Sequence, residues 1–346
     1  MTIDQARGLF PGAAGFLNTA ALGLPPRTAT EALRAALARW ERGDATPTDY
    51  DAAVAGSRHL FADLVHVPAD WVTVGAQVSA LVGLVAGSLE AGSHVLCVDD
   101  EFTSVTFPFV ARSDLGLTVE SVPPSALADA IGRRTSLVAV SAVQSKDGRV
   151  MDLAAVREAA DGHGARVLVD ATQAVGWLPL NAGDFDAVVV GAYKWLMSPR
   201  GTAFMSVRPE LLESIHPLYA GWYAGDSPWD SIYGLPPRLA SDARRLDLSP
   251  AWLSWEGTEP AVRLISELGV EAIHRHNVEL ANALLAGLDL GATDSAIVAL
   301  DLPEGLPVDA LKGIRASMRA GRLRVSFHLY NTMEDVDGLI AALRSR

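Results

Sequence analysis

Apolar runs rich in β-branched residues alternate, over the first two thirds of the chain, with stretches whose apolar positions recur at helical spacing. The runs at 72–75, 94–98, 117–122, 137–143, 166–169 and 187–190 have the pattern of strands buried on both faces. Between them, apolar spacing of three and four predicts helices over 78–89, 125–131 and 153–163. Such alternation predicts a mostly parallel sheet covered by helices on both sides. One more strand is expected at 201–207, beside the strand at 187–190.

The pattern changes at 221–238, where Gly, Pro, Trp and Tyr accumulate without periodicity. Aromatic side chains need burial, so this stretch reads as an ordered loop over a site. Trp222, Tyr223, Trp229 and Tyr233 then either line a substrate pocket or build a subunit contact. Beyond the loop come helices at 251–268 and 270–288, a strand at 296–302, a helix at 308–315, a strand at 323–327 and a last helix at 334–343. The expected organisation is α/β, with a large domain over 15–238 and a smaller α+β domain over 239–346, near which residues 1–14 pack.

Charge and composition narrow the function. The 41 acidic against 28 basic residues give a formal net charge of −13, which argues against a nucleic-acid partner because phosphate contact needs a basic face. No apolar run is long enough to cross a bilayer, so no membrane association is expected. The opening residues carry neither a basic head nor an apolar stretch, and no secretory signal is visible. Cys97 is the only cysteine, so no internal disulfide forms and a reducing cytoplasmic setting is expected.

Two strands end on chemistry. The run Val167-Leu168-Val169 delivers Asp170, followed by Ala171-Thr172-Gln173, and the run Val188-Val189-Val190 leads through Gly191-Ala192-Tyr193 to Lys194. Ligands of open parallel sheets bind at the carboxyl ends of strands, so both side chains can meet one small molecule there. A carboxylate for a pyridinium nitrogen and a lysine for an aldehyde are what pyridoxal phosphate requires. Taken singly, Lys194 reads as a snorkelling lysine and Asp170 as the cap of a turn. The strand–Gly–helix junction Val72-Thr73-Val74-Gly75-Ala76-Gln77-Val78-Ser79 offers a helix start for a phosphate, with Ala76 and Gln77 at its turn; Ser79 also reads as a plain cap. In Glu101-Phe102-Thr103, Phe102 either stacks on a flat ring or fills the core below. Arg324, in the strand Leu323-Arg324-Val325-Ser326, needs an anion, either a substrate carboxylate or an internal acid. His328 reads as structural.

Together these residues resemble the class V aminotransferase family, the fold-type I pyridoxal-phosphate enzymes that include cysteine desulfurases, isopenicillin N epimerase-like proteins and kynureninase. The resemblance runs from Phe16-Leu17-Asn18-Thr19-Ala20-Ala21 nearly to the end of the chain. It is most specific at Asp170-Ala171-Thr172-Gln173 with Tyr193-Lys194, and at Arg324-Val325-Ser326 with Tyr330-Asn331. It implies that Lys194 carries the cofactor, Asp170 pairs with its nitrogen, Gln173 touches its hydroxyl, and Ala76, Gln77, Phe102 and Tyr193 help to hold it. Arg324, with Asn18 and Ala21, would bind an amino-acid-like substrate. The segment Glu256-Gly257-Thr258 is similar to one whose threonine reaches the cofactor phosphate of a neighbouring subunit, which implies a homodimer.

The departures matter as well. Phe102 stands where desulfurases commonly have histidine, Gly191 and Tyr193 where the family often has serine and histidine, and Ser145, beside Gln144, where an asparagine is expected three residues before Gly148. The stretch Ser317-Met318-Arg319-Ala320-Gly321-Arg322 has no thiol, and Cys97 sits in a predicted strand. The expectation is therefore a transaminase, or a β-eliminating carbon–sulfur lyase or epimerase, and not a cysteine-nucleophile desulfurase. A cofactor-binding protein without turnover is the contrasting possibility, against which the intact Asp170, Lys194 and Arg324 weigh.

Overall fold

The computed structural model describes residues 1–304, 307 and 310–344. In chain order the elements are α1 (Ile3–Arg7), α2 (Arg27–Glu41), α3 (Asp51–Leu64), β1 (Val72–Gly75), α4 (Val78–Ser88), β2 (His94–Val98), α5 (Thr103–Val110), β3 (Thr118–Val122), α6 (Leu127–Ala130), β4 (Thr135–Ser141) and α7 (Leu153–His163). There follow β5 (Arg166–Asp170), β6 (Ala187–Gly191), β7 (Ala203–Val207), α8 (Pro209–Leu212), α9 (Trp252–Leu268), α10 (Val270–Gly287), β8 (Ile297–Leu300), β9 (Ser317–Arg319), β10 (Arg322–Ser326) and α11 (Met333–Arg344).

Seven strands form one sheet in the order β1-β7-β6-β5-β4-β2-β3. From β3 to β6 the neighbours are parallel, while β7 runs antiparallel to both β6 and β1. The strand expected beside β6 is there, but reversed: residues 192–202 turn back without the long crossover that a parallel partner needs. Within β5, Val167 and Val169 enter the core on one side of the sheet and Leu168 the core on the other. Residues of α3, α7 and α9 build the first core, and residues of α4, α5 and α8 the second. Burial on both faces is why these strands read as unbroken apolar runs. The helices between them stop for local reasons. Asp152 caps α7 by accepting from the Ala155 amide at 3.0 Å, and Gly164 ends it at φ +72°.

A second, antiparallel sheet has the order β8-β10-β9 and packs on α10 and α11. The helix expected at 308–315 lies partly outside the described residues. Of the remainder, residues 310–313 form a turn, Gly313 takes φ +89°, and Arg315 makes a parallel bridge with Phe16. That pairing fixes the chain in extended form where apolar spacing alone suggested a helix. Helix α9, although it follows the aromatic loop, packs against α2 and α3. Just before it, Asp247 is buried under β1, where it accepts from the Val74 amide and the Thr73 hydroxyl, both at 2.9 Å, and pairs with Arg58 at 2.6 Å. Among the described residues, no helix is long and apolar enough to cross a membrane.

Candidate active site

The carboxyl ends of β4, β5 and β6 and the start of α4 open into one cleft, enclosing about 590 Å³ out to solvent. Asp170 and Lys194 both line it, and so do Ala76, Gln77, Phe102, Gln173 and Tyr193. These are seven of the eight residues expected to hold a cofactor, Thr258 being the eighth, and the fold brings the seven together.

Asp170 ends β5 with its carboxylate held by the Thr172 amide at 2.8 Å, and Thr172 in turn accepts from the Gly191 amide at 2.9 Å. Burial pushes the Asp170 carboxyl up, against the opposing pull of Thr172 and of the Lys194 charge. Lys194 is 5% exposed. Burial pushes its ammonium down to about 8, with Asp170 opposing and Arg324, Arg319 and Arg200 adding to the depression. Its Nζ lies 5.3 Å from the centre of the Phe102 ring and 5.6 Å from that of Tyr193.

The lysine turn is clamped from behind by the amino-terminal segment. The Gly23 amide donates to the Tyr193 carbonyl at 3.0 Å, and a Cβ on Gly23 would lie 2.0 Å from the Lys194 carbonyl oxygen. Only glycine permits that approach. Gln173 accepts from the Trp195 indole at 2.8 Å and donates to the Ala20 carbonyl at 2.9 Å and to the Ser145 hydroxyl at 3.1 Å. Both amide hydrogens are committed, while Oε1 keeps a second lone pair for a hydroxyl donor.

Glu101 was not foreseen as part of the site. It is buried and accepts from the Phe102 amide at 2.8 Å, the Ser141 amide at 2.9 Å, the Ser141 hydroxyl at 2.5 Å and the Gln144 side chain at 3.1 Å. It thereby locks the residue carrying the ring to the end of β4. The only sequence signal was an acid directly after a buried strand, which is equally common in turns.

Arg324 projects from β10 of the small sheet and is 2% exposed. Its Nη1 donates to the Ser145 carbonyl and, at 3.2 Å, to the Ser145 hydroxyl. Its Nε and Nη2 have no hydrogen-bond partner among the described residues, and no internal acid answers it. Arg324 does not itself line the cleft, but Ser145, which it contacts, does, and two of its donors stay free for an anion.

Thr258, expected to face the cofactor of a neighbouring subunit, does not line this chain's own cleft; it is buried inside α9, its hydroxyl donating to the Ser254 carbonyl at 2.8 Å and to Thr202 at 3.2 Å. Asn18 accepts from the Ser317 hydroxyl and bridges to Ser326, which ties its backbone and side chain to the small sheet beside Arg324. The aromatic loop does not cover the cleft either. Trp229 and Tyr223 donate to Asp51 at 2.7 and 3.3 Å, anchoring the loop to the start of α3, while Tyr233 stays exposed.

The cleft fits pyridoxal phosphate. A depressed lysine stands beside a buried carboxylate, and the first-turn amides of α4 have no side-chain cap from Gln77. The family model for Aminotransferase class-V matches residues 32–297. The chain belongs to the class V aminotransferase family of fold-type I enzymes, with pyridoxal phosphate as cofactor. Among relatives, isopenicillin N epimerase of Streptomyces clavuligerus is 30% identical, covering 98% of this chain and 97% of its own. An uncharacterized aminotransferase, YcbU of Bacillus subtilis, is 29% identical over 81% of this chain and 80% of its own. Among solved structures, the complex between the cystine C-S lyase C-DES and its reaction product cysteine persulfide has a TM-score of 0.86 at 22% identity, covering 98% of this chain and 99% of that one.

The exclusion of cysteine desulfurases is overturned. A probable cysteine desulfurase of Methanothermobacter thermautotrophicus is 22% identical over 81% of this chain and 80% of its own. The fold is also shared with cysteine desulfurase CsdA of Escherichia coli, with a TM-score of 0.83 at 20% identity, over 99% of this chain and 97% of that one. Thiol content was the wrong criterion. Relatives named for desulfuration share the family and the fold whatever the thiol content of 317–322 in this chain.

Proposed function

We propose that this protein acts at the α-amino carbon of a small amino acid or amino-acid conjugate, and that its reaction is transamination. The observation that carries the reading is Lys194, the one cleft-lining amine, with its ammonium pushed down to about 8 beside Asp170. Bound pyridoxal phosphate supplies an aldehyde for amines and a ring that withdraws electrons from the α-carbon. Lys194 would hold the cofactor through its free amine, and the same Nζ would serve as the base for the α-proton of a bound substrate. Asp170 would pair by its charge with the ring nitrogen. Arg324 grips the substrate carboxylate through Nε and Nη2, which fixes the α-proton toward Lys194. Phe102 covers the cleft with a surface that carries no proton, so one base removes and returns the proton on one face, as transamination requires.

Epimerisation is the second reading, supported by the relative named isopenicillin N epimerase and by the Tyr193 hydroxyl beside Lys194 as a further proton carrier. One panel separates them. The protein, loaded with pyridoxal phosphate, is offered single amino acids in heavy water. Keto acid with pyridoxamine phosphate supports transamination, a deuterated enantiomer supports epimerisation, and pyruvate with ammonia and a thiol supports β-elimination. A visible band that persists in Lys194→Ala, or no spectral response to any amino acid, refutes the catalytic reading.

A further inference from the structure

Arg200 lines the same cleft and has no task in the reading above. The sheet explains where it stands. Ala203 of β7 pairs with Gly75 of β1 on one side and with Gly191 of β6 on the other. The residues just beyond that row, 76–79, 200–202 and 192–194, therefore share one end of the cleft. This is the end where α4 begins and where a phosphate meets backbone amides.

The neutral donors there are few. Gly191 brings no side chain, and a Cβ at that position would meet Tyr193 Cε1 at 3.2 Å and Val78 Cγ2 at 3.4 Å, so the wall is already packed. Gln77, Ser79, Tyr193 and Thr202 offer hydrogen bonds without charge. A phosphate ester carries about two negative charges near neutral pH. Lys194 and Arg200 are the two cationic residues lining the cleft, and Lys194 is taken by the aldehyde. The Arg200 guanidinium lies 4.9 Å from the centre of the Tyr193 ring, and it forms no salt bridge with a carboxylate among the described residues. The Tyr193 ring and hydroxyl hold the guanidinium in place, and its remaining donors are available to an oxyanion.

We propose that Arg200, laid on Tyr193, is the cation that binds the cofactor phosphate in this chain. The inference rests on pyridoxal phosphate being the cofactor. It is tested by titrating the apoprotein with pyridoxal phosphate and with pyridoxal, which has the aldehyde but no phosphate, and following the visible band. Arg200→Gln weakens pyridoxal phosphate about tenfold, equivalent to about 1.4 kcal/mol, and leaves pyridoxal unchanged. Arg200→Lys recovers part of the loss and keeps the salt dependence. Equal weakening of both aldehydes, or of neither, overturns the proposal. So does unchanged cofactor affinity with a raised KM for dicarboxylic amino acids, which would make Arg200 a substrate residue. A wild-type protein that forms no band with either aldehyde overturns the cofactor reading itself, and this inference with it.

Discussion

At pH 7 an ordinary lysine, with its ammonium at 10.5, has about 0.03% free amine, whereas Lys194 at about 8 has about 10%. The buried position therefore multiplies the reactive form about 300-fold before any cofactor binds. Competitive acylation of the apoprotein with a small reagent, read by mass spectrometry on the peptide containing Lys194, measures this directly. Labelling of Lys194 rises with pH through a midpoint near 8, while exposed lysines such as Lys146 keep rising beyond it. The sign of the neighbours is then open to test. Asp170 favours the ammonium, so Asp170→Asn moves the midpoint below 8. A midpoint in the ordinary lysine range, or one that Asp170→Asn raises or leaves in place, refutes the account of how this amine is made reactive.

Two further outcomes concern what holds the site in shape. Arg58→Met strands the buried Asp247 carboxylate without its cation and lowers stability by roughly 3–5 kcal/mol, whereas Arg58→Met with Asp247→Leu loses less than the sum of the two single changes. Urea unfolding of the four proteins checks this, and strict additivity counts against the pair. Gly23→Ala places a methyl 2.0 Å from the Lys194 carbonyl, so it lowers thermal stability by roughly 1–3 kcal/mol and weakens cofactor binding together with it. A stable variant with wild-type affinity would show that the approach is not tight.

The legible parts of this chain were those with a local signature. Doubly buried strands announce themselves as apolar runs, so Asp170 and Lys194 could be placed at strand ends and then at one crevice. The direction of β7 was not legible, because an antiparallel return and a parallel neighbour have the same composition. Glu101 was missed because a single charged residue after a strand has no distinguishing context; its meaning comes from Ser141 and Gln144, about forty residues away. The pairing of Arg315 with Phe16 is likewise a contact between distant ends of the chain, invisible to periodicity.

The segment from Phe16 to Leu24 touches the small sheet at Arg315 and Ser326, then passes to the Tyr193 carbonyl and, through Tyr330, back again. It works as a tie rod between the small sheet that carries Arg324 and the turn that bears Lys194. A protease nick between Ala21 and Leu24 would thus cut the mechanical link between those two side chains, and its damage would be felt far from the severed bond.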